Sequence, residues 1–133
     1  MDPIYVQIVT SYNSDASKAP KKFAEGAKTK MLAAIKRALT KASGFTTDDK
    51  AARRAAFVVR VKVSDIIFTT GSAAIKLTGE LLKHPNEMIS TSLTAGSRAD
   101  GNTSDSAILE AVDAAAEGMM GKVIPVMTRL AAS

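Results

Sequence analysis

Apolar residues first recur with a period of two. In Ile4-Tyr5-Val6-Gln7-Ile8-Val9 the β-branched positions Ile4, Val6 and Ile8 share one face, which predicts a short strand. Ser11 to Ala19 is rich in Ser, Asn, Asp and Lys and reads as a loop, with Pro20 placed for the opening turn of a helix. The period then lengthens. Phe23, Ala27, Met31, Ala34, Ile35 and Ala38 fall at helical spacing, predicting an amphipathic helix to about Ala42, with Lys18, Lys22, Lys36 and Arg37 projecting from the face opposite the stripe. Gly44 is its stop signal, and Thr46 to Lys50 is a polar connector.

Period two returns over Ala56 to Phe68. Phe57, Val59, Val61 and Val63 alternate with Val58, Arg60, Lys62 and Ser64, so one face is apolar and the other partly charged. Asp65 interrupts the run, which fits a bulge or an edge position facing a lysine such as Lys76 or Lys62. After Thr69-Thr70-Gly71-Ser72, where Gly71 accepts a positive φ, Ile75, Leu77, Gly79 and Leu81 alternate with Lys76, Thr78 and Glu80, and a hairpin is predicted. His84-Pro85-Asn86-Glu87 reads as a solvated turn and Met88 to Ala95 as a third strand of a meander. In that strand Ile89 and Leu93 share one face and Ser90, Ser92 and Thr94 the other, which admits a bulge or an exposed edge.

Gly96 to Asp105 lacks periodicity and reads as a loop. A second helix starts near Ser104 or Asp105 with Ile108, Val112, Ala115, Met119 and Val123 as its stripe. Gly118, Gly121 and Pro125 in its second half imply close packing or a kink around Gly121. The predicted fold is α+β in the order β-α-β-β-β-α: a four-stranded antiparallel or mixed sheet with two helices packed on one face, in a single domain spanning residues 1–133.

Composition decides what fills this core. Of the 133 residues 46% are hydrophobic, but 23 are Ala and only 5% are aromatic, so small side chains must pack closely. The net charge of +5 is local: residues 1–42 hold eight Lys and Arg against three acids, and the remainder balances at ten of each. No run approaches the roughly 18 apolar residues of a membrane-spanning helix. The first ten residues lack a basic segment followed by an apolar one. The expected location is periplasmic or outer-membrane-associated where an export signal has been trimmed, and cytoplasmic otherwise.

Catalytic chemistry finds little to use. The absence of Cys excludes disulfides, thiolate catalysis and Cys-ligated metal, and the single His84 excludes a site needing two imidazoles from one chain. Gly118-Met119-Met120-Gly121-Lys122-Val123 resembles a phosphate loop only superficially, because its first Gly is too close and Val123 stands where Ser or Thr is required. No spaced carboxylate pair meets an imidazole or cation. The chain is therefore read as a non-enzyme with no cofactor and no metal. Two surfaces remain as candidate binding sites: the basic helix, through Lys22, Lys36 and Arg37, and the hydroxyl-rich strand, through Ser90, Ser92 and Thr94.

The succession of Tyr5-Val6-Gln7-Ile8-Val9, the helix Phe23 to Leu39, Ala56-Phe57-Val58-Val59-Arg60-Val61 with its hairpin, and Ile108-Leu109-Glu110-Ala111-Val112 resembles the small α/β domain of bacterial envelope proteins. The families are the curli-secretion lipoprotein, the TolB amino-terminal domain and the LpoB-type activators of penicillin-binding proteins. The resemblance implies a non-catalytic interaction or assembly module with protein partners, further copies of the chain among them. The lipidated Cys common in such proteins is not present in these residues. The alternative reading is a small cytoplasmic nucleic-acid-binding or phage-type structural protein using the basic helix over residues 20–42.

Overall fold

The computed structural model describes residues 2–13, 19–51, 55–84 and 87–132, with 87–91 as backbone. In chain order its elements are β1 (Ile4–Tyr12), a 3-10 turn (Lys21–Phe23), α1 (Ala24–Ala42), β2 (Phe45–Thr46), β3 (Ala56–Thr69), β4 (Ser72–Lys83), β5 (Glu87–Asp100) and α2 (Asp105–Ala132). The strands make one mixed sheet in the order β2-β1-β3-β4-β5, with β1 parallel to β2 and β3, and the β3-β4-β5 meander antiparallel. The α+β class agrees with the sequence reading, but the sheet has five strands rather than four. The additional strand is β2, paired with β1 at Ile4 and Tyr5. Two residues are too few to display an alternation.

Central β3 follows its sequence pattern: Val59, Val61 and Val63 are buried while Arg60 and Lys62 are exposed. Between Val63 and Asp65 the register shifts, making Ser64 a bulge. The extra residue transfers the buried position to Ile66 and sets Asp65 opposite Lys76, as its place in the apolar run suggests. The bulge's polar groups are partnered: Asn13 Nδ2 donates to Ser64 O at 2.9 Å, and the Ser64 and Thr78 hydroxyls lie 2.8 Å apart.

A second shift falls in β5, where Leu81 pairs with Thr91 but Leu82 with Met88. Beyond it β5 continues to Asp100 through a stretch that reads as loop from its composition. Backbone pairs from Lys76 with Gly96 to Ser72 with Asp100 hold it, joined by Arg98 Nη2 donating to Ser72 Oγ at 3.2 Å. At a sheet edge, where only Ala99 of residues 96–100 is buried, Gly, Ser and Asp cost little.

The 3-10 turn and α1 bury most of the predicted stripe, with Phe23, Ala27, Met31, Ala34 and Ile35 all at most 2% exposed and Ala38 half-buried. Removing a side chain such as Phe23 or Ile35 from water contributes about 1.5–3 kcal/mol. Helix α1 packs on β1, α2 packs on β4 and β5, and the two helices touch each other, which among the described residues leaves the other sheet face without a helix. Two glycines permit these approaches. A Cβ at Gly79 would lie 2.6 Å from Met119 Sδ and 3.3 Å from Arg60 O, and one at Gly26 would lie 2.9 Å from Leu109 Cδ1.

Ser104 caps α2, its Oγ accepting from Ala107 N at 3.3 Å. The helix is unbroken through Pro125. Gly118 and Gly121 face open space rather than a close neighbour, because both lie on the side of α2 turned from the sheet. His84 is half-buried instead of solvated: its ring meets Tyr5 edge-on at 5.3 Å, and its backbone N–H donates to Ala56 O. The predicted turn residues Pro85 and Asn86 lie outside the described residues.

Candidate functional site

The basic side of α1 is not a free face. Lys22 pairs with Asp105 at 3.3 Å, Arg37 with Asp113 at 2.6 Å and Glu117 at 3.1 Å, and Lys41 with Glu117 at 3.6 Å. These pairs follow one order along both helices, so α1 and α2 run in the same direction. The expectation that Lys22 and Arg37 project opposite the apolar stripe is thus corrected: the flank bearing them meets α2. Hydrogen bonds to Asp113 first and Glu117 second raise Arg37 above its ordinary pKa. Lys36 remains exposed and borders two hollows beside β1 and β2, one of them lined by Leu32, Gln7 and Thr47. Lys18 lies outside the described residues.

Ser92 and Thr94 are exposed on edge strand β5, while the Ser90 side chain lies outside the described residues. The edge geometry follows from one bond. His84 N–H donates to Ala56 O at 3.0 Å, making this a hydrogen-bonded pair of the β3–β4 ladder. Counting by two along β4 turns Glu80, Thr78 and Lys76 toward β3 and Gly79, Leu77 and Ile75 toward β5. Their partners Leu93, Ala95 and Ser97 bond back to β4, so Ser92, Thr94, Gly96 and Arg98 present N–H and C=O outward. The Thr94 carbonyl confirms this direction by accepting from Lys122 Nζ of α2 at 3.0 Å.

Lys122 as the guard of this edge was not found by sequence reasoning, because nothing in a helical lysine indicates which strand it will reach. Arg60 and Lys62, which border a concavity on the other sheet face, were also not singled out. Their signal was present in the alternation with Val59, Val61 and Val63, which placed two cations on one sheet face. Among the described residues, no group of three His, Cys, Asp or Glu side chains is placed to hold a metal ion. No described helix is long and apolar enough to cross a membrane.

No protein-family model matches the chain, and no curated protein matches it in sequence. Solved structures match in fold. Protein XCC0632 of Xanthomonas campestris, of the family model DUF330, superposes with a TM-score of 0.61 at 12% identity, covering 99% of this chain and 88% of that one. A PelC dodecamer from Paraburkholderia phytofirmans gives 0.51 at 12% identity, with coverages of 89% and 86%. A minor lipoprotein of Acinetobacter baumannii gives 0.50 at 10% identity, with coverages of 92% and 91%. At such identities the shared property is the two-helix, mixed-sheet fold.

Proposed function

We propose that this chain is a non-catalytic interaction and assembly module of the bacterial cell envelope, periplasmic or outer-membrane-associated, that takes its protein partner as an added strand along β5. The observation that carries this reading is the outward row of backbone groups at Ser92, Thr94, Gly96 and Arg98. An edge strand with such a row is a template for another strand, and main-chain bonds supply affinity without a deep pocket. The fold likeness to a lipoprotein and to a protein crystallised as a dodecamer supports an envelope setting and a second copy of the chain as partner. The basic helix is the weaker surface, because Lys22, Arg37 and Lys41 already serve the contact with α2.

Ser92→Pro tests the edge. Proline removes an outward N–H that the native ladder does not use, so the monomer should keep its fold and lose assembly. Sedimentation velocity across a concentration series, with circular dichroism as the folding control, reads both. Assembly that persists unchanged in Ser92→Pro would refute the strand-addition reading. A triple Lys22→Glu, Lys36→Glu, Arg37→Glu variant that loses partner binding while its fold is intact would shift the site to α1.

A further inference from the structure

We infer that the helix-free face of the sheet holds a site for a phosphate ester that also carries a hydroxyl group, with Arg60 and Lys62 as its cations. Two rows of side chains crossing the sheet build it. Val9, Arg60, Glu80 and Ser92 align across β1, β3, β4 and β5. Two residues along, Ser11, Lys62, Thr78 and Thr94 align on the same face. All but Val9 line one concavity of about 360 Å³.

Arg60 and Lys62 are two cations on one strand that border the same concavity. Lys22, Lys28, Arg37, Lys41 and Arg98 each have a carboxylate within 3.6 Å. Arg60 and Lys62 have none among the described residues, although Glu80 is the cross-strand neighbour of Arg60. The hydroxyls of Ser11, Ser92 and Thr94 also lack a protein partner among the described residues, whereas Thr78 is fixed by Ser64 at 2.8 Å. Positions two apart on a strand are about 6.6 Å apart, a span across which a guanidinium and an ammonium on flexible stems converge on one phosphate group. Seven of the ten residues lining the concavity are charged or hydroxylic, with Val61, Gly79 and Leu93 completing it, and that share of polar side chains suits a small polar ligand with an apolar portion.

Glu80 determines which anion is taken. Its carboxylate repels a bare oxyanion placed near it but accepts a hydrogen bond from a ligand hydroxyl. The site therefore favours an ester with a neighbouring hydroxyl over inorganic phosphate. A soluble polyol phosphate and a phospholipid headgroup both offer this chemistry.

Amide-resolved NMR titration of the folded chain with glycerol phosphate, beside flotation with phosphatidylglycerol vesicles, tests the site. Saturable shifts at Arg60, Lys62 and Thr78 are expected. Arg60→Gln with Lys62→Gln should weaken binding at least about tenfold. Lys21→Gln with Lys30→Gln and Lys36→Gln, which removes more charge from the 3-10 turn and α1, should leave it unchanged. Glu80→Gln should improve inorganic phosphate binding relative to glycerol phosphate. Binding of vesicles identifies the headgroup as a source, and binding of the soluble ester alone identifies the free compound; both support the site. Absence of saturable shifts and of vesicle binding, or equal weakening by that lysine triple, would overturn it. These exposed substitutions leave the β5 backbone untouched, so their outcome is separate from that of Ser92→Pro.

Discussion

Lys122 Nζ donates to the Thr94 carbonyl oxygen at 3.0 Å, so a helical side chain occupies one acceptor of the sheet's exposed edge. Natural sheets often protect an edge with lysine, which must leave before another strand can pair. Lys122→Ala should therefore strengthen β5-mediated association by about tenfold, the size of a charge-assisted hydrogen bond that no longer has to be broken. The folded monomer should change by less than about 1 kcal/mol, because the contact is exposed. Equilibrium sedimentation measures the first and urea unfolding at low concentration the second; unaltered association would show that the edge is not the contact surface.

Arg37 and Lys36 are adjacent in sequence yet play opposite parts. Arg37 joins Asp113 and Glu117 across the helix pair, while Lys36 has no ion pair among the described residues. Arg37→Ala should lower Tm, and the difference from wild type should shrink as salt rises and screens the pairs. Lys36→Ala should leave Tm unchanged. Thermal melts at low and high salt test this contrast, and equal effects of the two substitutions would contradict it.

That contrast also marks where sequence reasoning stops. Alternation placed Val59, Val61 and Val63 on the core face, and helical spacing found Phe23, Met31 and Ile35, because burial imposes a period that one element records by itself. The five-stranded sheet, the reach of β5 to Asp100 and the direction of Arg37 depend on neighbours distant in sequence. β2 has too few residues for a period, β5 is held by backbone bonds that composition does not encode, and Arg37 is set by the position of α2 beside α1. Ser92 and Thr94 were recognisable as an exposed hydroxyl face. Their meeting with Arg60 and Lys62 needed the strand register.

Tyr12 links the first strand to the start of the 3-10 turn, its hydroxyl donating to Pro20 O at 2.6 Å. Burial raises the phenol above its ordinary pKa of 10.0, because the folded surroundings disfavour phenolate. The unfolded chain then loses this proton first. The resulting stability is complete below the unfolded value and is lost as pH rises from about 10 through the higher folded value. Tyr12→Phe should cost about 1 kcal/mol at neutral pH through the lost hydrogen bond and should flatten the decline above about pH 10. Urea midpoints of both proteins between about pH 8 and 11 test the sign; parallel alkaline limbs would exclude a contribution from Tyr12.

Gly118 sits inside α2 and, among the described residues, nothing lies within 4 Å of the Cβ it lacks. An interior helical glycine costs about 0.5–1 kcal/mol relative to alanine through backbone entropy, and here no packing contact offsets that cost. Gly118→Ala should stabilise the monomer by about that amount. Gly121 is equally open but lies four residues before Pro125, whose ring crowds the carbonyl of that very position. Gly121→Ala should gain less, since glycine gives the backbone there more freedom to yield. Urea unfolding at low protein concentration, where association is absent, separates the two. A Gly118→Ala variant that is stabilised as a monomer but loses assembly would place a close helix contact on this face and assign the glycine to an interface instead of to β5.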